Sequence, residues 1–172
     1  RFSRPIRWIL ALLDENLVPI KLNGCDPRIS SGNVSKGHRL YKDTLFITSA
    51  SEYPTTLVKA GVQIDREARK SSIKKLIEDA SLNTNKYTDL SESLLDELTD
   101  LVELPFLIVG DFDDLFLELP PEVLTTVMKV HQRYVPLYFS KDLVEDPLSL
   151  DSKGTLSSSF LCVSNGLVES TL

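Results

Sequence analysis

Hydrophobic and polar positions follow one another in short blocks, and the blocks change period along the chain. Residues 7–13 and 17–22 are apolar runs joined by Asp14, Glu15 and Asn16, a pattern that predicts a hairpin. From 23 to 36 the residues are mostly Gly, Ser, Asn, Asp and Pro, which favour turns, so an exposed loop is expected there, followed by a short strand over 37–41. A helix is expected over 49–59, stopped by Ala60 and Gly61, and 62–64 has room only for a short strand. Asp65 then suits the cap of a longer helix, in which Ile73, Leu76, Ile77 and Ala80 recur on one face.

The second half repeats the helix-then-strand order. Asp89, Leu90, Ser91 and Glu92 have the form of a capping box with Asp89 at the cap, and Leu94, Leu95, Leu98, Leu101 and Val102 follow at helical spacing. Pro105 ends that helix, and the β-rich run 106–109 reads as a buried central strand. Pro120 and Pro121 open another helix, with Leu124, Val127, Met128 and His131 on its apolar face. That phase turns Lys129, Gln132 and Arg133 away from the core. Strands are expected over 135–139 and 161–163, separated by a polar span, 140–159, read as a flexible insertion. No internal repeat is present, and the pattern as a whole predicts one mixed α/β domain, a mixed sheet with helices packed on it, over residues 1–172.

Composition narrows the classes of function. With 42% apolar and 26% charged residues, the 172-residue chain has the make-up of a globular domain. Its apolar runs are far shorter than the roughly 20 residues that cross a bilayer, so no membrane partner is expected. A net charge of −6 argues against holding nucleic acid by bulk electrostatics; any RNA contact has to be a local patch. Cys25 and Cys162 stand far apart without metal-ligand spacing, which fits a reducing compartment. The chain opens on Arg1 rather than Met, so we expect any targeting segment to lie outside it.

Chemistry-bearing motifs are few. There is no Gly-rich phosphate loop, nucleophile elbow or HExxH sequence. Asp111, Asp113 and Asp114 suit a solvated turn better than a magnesium site. His38 and His131 are the only candidates for proton transfer near neutral pH, and neither has a nucleophile beside it in sequence. No catalytic residue and no metal ligand is therefore assigned. Arg66, Arg69, Lys70, Lys74 and Lys75 form the most basic stretch, either a track for phosphates or a solvated helix face, and Arg1, Arg4 and Arg7 form a smaller basic set.

Several of these tracts occur together in one family. Arg1-Phe2-Ser3-Arg4-Pro5-Ile6-Arg7-Trp8, Gly37-His38-Arg39, Leu90-Ser91-Glu92-Ser93-Leu94-Leu95, Phe116-Leu117-Glu118-Leu119-Pro120, Met128-Lys129, His131-Gln132-Arg133-Tyr134 and Val163-Ser164-Asn165 resemble, in the same order, the beta chain of bacterial-type glycyl-tRNA synthetases. Val135, where the family usually has an aromatic residue, and the long polar span after Phe139 depart from it. The loop from Ile29 to residue 35 is similar to the plant organellar version, which implies a chloroplast location, with the mitochondrion as alternative.

The resemblance implies a fold similar to the editing module of the phenylalanyl-tRNA synthetase beta chain. It also implies a parent that joins glycine to tRNA(Gly), with ATP and Mg2+ bound in a separate alpha region and no cofactor in this segment. Expected partners are tRNA(Gly), the alpha region and the other beta-region domains, in a dimeric parent. Glycine is the smallest amino acid, so steric exclusion already rejects larger ones and a second sieve is little needed. The leading expectation is thus an accessory tRNA-positioning domain, with Arg39, Lys129, Gln132 and Arg133, and secondarily Arg66 and Lys70, as candidate contacts. Two alternatives stand beside it: deacylation of misacylated tRNA with His131 or His38 orienting a water, and a purely structural scaffold between domains.

Overall fold

The computed structural model describes residues 5–24, 28–41, 44–139 and 156–166. Length predicts one unit, whereas the residues cluster into two compact units, 1–64 and 65–172, each with its own buried apolar set. The predicted mixed α and β architecture is present.

In the first unit the strands are short. β1 (Ile9–Leu10) pairs in parallel with β5 (Ile29–Gly32), which pairs antiparallel with β4 (Lys21–Leu22), giving the order β1-β5-β4. The expected hairpin exists in miniature as β2 (Leu12–Leu13) and β3 (Asn16–Leu17), with Asp14 at φ 52° making the turn. β6 (Val34–Lys36) and β7 (Thr44–Phe46) form a second antiparallel pair.

The expected loop at 23–36 is therefore corrected: Ile29 and Val34 lie in strands, because ladder pairing outweighs the turn preference of their neighbours. Residues 37–41 are not a strand; His38 N–H donates to Ala60 O at 2.8 Å, holding this segment against the end of α1 (Tyr53–Lys59). Nor do residues 62–64 form a strand. Gly61 stops α1 as expected, at φ +76°, and a Cβ there would sit 2.4 Å from the Tyr41 ring. Ile47, Leu57, Ala60 and His38 are among the buried residues of this unit.

The second unit is built on two longer helices and one sheet. The Asp65 carboxylate accepts from Ala68 N–H at 3.0 Å and caps α2 (Arg66–Thr84), which ends on Asn85 in the left-handed region. α3 (Glu92–Leu101) is capped by Ser91, which accepts from Leu94 N–H, and not by Asp89, whose carboxylate is engaged elsewhere. The sheet is antiparallel in the order β8-β10-β11-β9, with β8 (Tyr87–Thr88), β9 (Pro105–Asp111), β10 (Tyr134–Tyr138) and β11 (Leu156–Asn165).

The run 106–109 lies in β9, an edge strand and not a central one, and it leaves Phe106, Ile108 and Val109 exposed. Its apolar run signals partial cover only, and Pro105 sits at its first position, where a missing N–H costs no ladder bond. β11 begins at Leu156, so 156–159 belong to a strand and not to the insertion; 140–155 lie outside the described residues.

Alternation along β10 sends Val135 and Leu137 to one face, where they meet Ile73 and Ile77 of α2, Leu94, Leu95 and Leu98 of α3, and Leu161 of β11. Tyr134 and Tyr138 go to the other face, with Met128, Leu156 and Phe160. Among the described residues, no helix is long and apolar enough to cross a membrane.

Candidate nucleic-acid interface

The tract 128–134 shows how backbone winding resets the candidate residues. α4 (Pro121–Thr126) starts on Pro121 in its first turn as expected, but residues 127–132 continue it as a π-helix. Hydrogen bonds then run five residues back instead of four, so faces assigned at 3.6 residues per turn drift out of phase. Leu124 and Met128 still pack against the sheet. His131, expected on the buried face, is exposed, and Val127 is 43% exposed. Lys129, expected to face solvent, is half-buried; Gln132 is exposed. Arg133 ends the tract at φ 59°.

Most candidate cations are already engaged. Lys129 Nζ donates to Asp89 Oδ2 at 2.6 Å, with the two side chains 25% and 19% exposed, and Arg133 Nε pairs with Glu97 Oε2 of α3. Arg66 donates through Nε to Asp100 Oδ1 at 2.8 Å and through Nη2 to Asp96 Oδ1 at 3.0 Å. Lys70 Nζ reaches the same Asp96 oxygen at 2.9 Å and Glu92 Oε2 at 3.0 Å. Arg69 Nε donates to Thr99 O at 2.9 Å. The basic face of α2 is thus fastened along the acidic face of α3.

The electrostatics follow that geometry. Hydrogen bonds from Lys70 and Arg66 hold the Asp96 carboxyl below the usual carboxylate range, and the bond from Arg66 does the same for Asp100. Bonds to Asp100 and Asp96 raise Arg66, and bonds to Asp96 and Glu92 raise Lys70. Burial, with Asp89 adding to it, pushes the Tyr138 phenol up to about 12. Burial also raises the Cys162 thiol, while Cys25 lies outside the described residues.

Arg39 stands apart. It lies exposed in a turn of the first unit and makes no ion pair among the described residues. The first unit carries nine Lys and Arg against five Asp and Glu, a net charge of +4, and the second carries ten against twenty, a net charge of −10. This partition is hidden in the whole-chain value of −6 and becomes visible only once the unit boundary is known. Arg1 and Arg4 lie outside the described residues; Arg7 is exposed.

The remaining chemistry is sparse. His38 is fully buried, with its ring edge-on to Tyr41 and Nδ1 3.4 Å from Leu40 N. Asp113 caps the 3-10 turn Asp114–Glu118 by accepting from Leu115 N–H at 2.9 Å, a structural use for the acidic cluster. Among the described residues no three His, Cys, Asp or Glu side chains are grouped to hold a metal ion.

Over residues 1–171 the sequence matches the family described as glycyl-tRNA synthetase beta subunit. The chain belongs to that family. Similar proteins include the glycine–tRNA ligase beta subunits of Acaryochloris marina, 45% identical over 168 residues, and Trichodesmium erythraeum, 41% identical over 167 residues. Each alignment covers 96% of this chain and 22% of the relative. The corresponding subunit of Listeria welshimeri is 40% identical over 142 residues, 83% of this chain and 20% of its own length. The chain therefore spans about a fifth of these glycyl-tRNA synthetase beta subunits.

Proposed function

We propose that this chain is a non-catalytic, RNA-positioning domain of a glycine–tRNA ligase, in which the first unit offers the contact surface and the second serves as support. The observation that carries the reading is the contrast between Arg39, exposed and without an ion pair among the described residues in a unit of net charge +4, and Lys129, Arg133, Arg66 and Lys70, each bonded to a carboxylate in a unit of −10. A cation already paired must exchange one partner for another to take a phosphate, whereas an unpaired exposed one gains the contact outright. Gln132, exposed at the end of the π-helix, is kept as a neutral contact for a base edge or ribose hydroxyl.

In this reading ATP and Mg2+ act in the alpha region of the parent. The partners are tRNA(Gly) and the other domains of a dimeric synthetase. Deacylation is not favoured: fully buried His38 has no access to an ester. That alternative would rest on His131, which stands exposed. We place the parent in the chloroplast on the likeness of the loop that includes Ile29; a fluorescent fusion of the full-length protein that stays in the cytosol would remove that placement.

The test of the function is glycylation by the full-length protein. Arg39→Ala is expected to raise the KM for tRNA and leave kcat near its original value, with the loss growing milder as salt rises. An unchanged KM removes Arg39 from the interface.

A further inference from the structure

A cavity of about 420 Å³ in the first unit is lined by Trp8, Leu10, Ala11, Leu12, Ser35, Ala50 and Tyr53. Its size falls within the usual range of small-ligand sites, roughly 300–1,000 Å³. Trp8, just before β1, is 41% exposed, and Lys36 Nζ lies 5.7 Å from its ring centroid. Ser35 on β6 is only 5% exposed and lines the same opening. An aromatic side chain with a cation over its ring and a serine hydroxyl at the cavity wall thus meet in the unit of net positive charge.

We infer that this cavity is a subsite for one unpaired nucleobase of an RNA strand, stacked on Trp8, with Ser35 bonding the base edge and Lys36 taking the adjoining phosphate. The inference deepens the RNA-positioning reading and rests on it. The chemistry selects the ligand in three ways. A flat apolar wall suits a π-face, which every base has, and a lone hydroxyl can donate or accept to a base edge without demanding one sequence. The Lys36 ammonium, exposed over the Trp8 ring, can take a phosphate next to the base, a contact that an apolar ligand would not offer. Paired bases keep their faces stacked in the duplex, so only a single-stranded or splayed-out base can enter.

The test uses the full-length protein with three probes: a fluorescein-labelled single-stranded RNA octamer, a blunt RNA duplex of equal length, and adenosine 5′-monophosphate as competitor. Trp8→Ala is expected to weaken octamer binding about tenfold and to leave duplex binding unchanged, with most of the loss recovered in Trp8→Phe. Lys36→Ala should reduce the salt dependence of octamer binding by about one counterion.

Equal losses for octamer and duplex, or full octamer affinity in both Trp8 variants, would overturn the inference. Trp8-dependent binding of the mononucleotide without binding of the octamer would assign the cavity to a free nucleotide and also overturn it. Hydrogen exchange at β5 and β6 checks that Trp8→Ala is folded, and Ser35→Ala supplies a milder variant, expected to weaken octamer binding a few-fold. If Arg39→Ala weakens tRNA binding while the Trp8 and Ser35 variants are silent, the cavity is dismissed and the RNA-positioning reading stands; if Arg39→Ala is silent too, both fail.

Discussion

The two units of this chain deploy cationic side chains in opposite ways. In residues 65–172, Arg66 and Lys70 bind α2 to the carboxylates of α3, Arg133 bonds Glu97 of α3, and Lys129 reaches Asp89. In residues 1–64, cations such as Lys36 and Arg39 stay exposed beside short strands, and the buried apolar set is small. The most basic stretch of the sequence is thus the less available one. A cluster of Lys and Arg on a helix signals a phosphate track only if the packed neighbour does not already supply the counter-charge.

The largest expected effect lies in the core of the second unit. Leu161, fully buried against α2 and α3, is expected to cost about 2–5 kcal/mol on replacement by Ala, measured by urea denaturation. A cost below about 1 kcal/mol would show that the second unit is not the well-packed support described, since even burying one methylene is worth about that much. Next is Gly61→Ala in the first unit. A positive φ and a Cβ 2.4 Å from the Tyr41 ring together predict a loss of about 1–3 kcal/mol, with faster hydrogen exchange at the end of α1.

Lys129→Ala sharpens the contrast further. Asp89 is only 19% exposed and would lose its cation, so a loss of about 1–2 kcal/mol is expected in a thermal melt, and Asp89→Asn in the same background should recover part of it. The smallest effects are in pH dependence. Asp96 and Asp100 titrate lower folded than unfolded, so their contribution is present above the ordinary carboxylate pKa and is lost as pH falls through the lower folded values. Asp100→Asn should flatten that acid limb. Tyr138 is raised from 10.0 to about 12, so its contribution is present below pH 10 and is lost as pH rises through 12; Tyr138→Phe should flatten the alkaline limb.

How legible these features were in sequence depended on how local their causes are. The Asp65 cap, the Ile73 and Ile77 stripe, the Pro121 start and the Gly61 stop each follow from a few adjacent residues, and each occurs as expected. Features set by distant partners did not read out. β5 and β6 need their ladder partners, and β9 is an edge strand because β11, more than forty residues on, covers only one of its sides. The phase of Val127, Lys129 and His131 was lost because a π-helix leaves no periodic signature in six residues. Asp89, read as a cap, is the counter-ion of Lys129 forty positions away, a pairing that spacing along the chain cannot suggest.

Which cations meet RNA is read most directly from the salt dependence of tRNA binding by the full-length protein. The slope of log K against log salt should fall in magnitude by about one for Arg39→Ala and stay at the parental value for the Lys129→Ala, Arg133→Ala double variant. A parental slope in Arg39→Ala together with a reduced slope in the double variant would contradict the account.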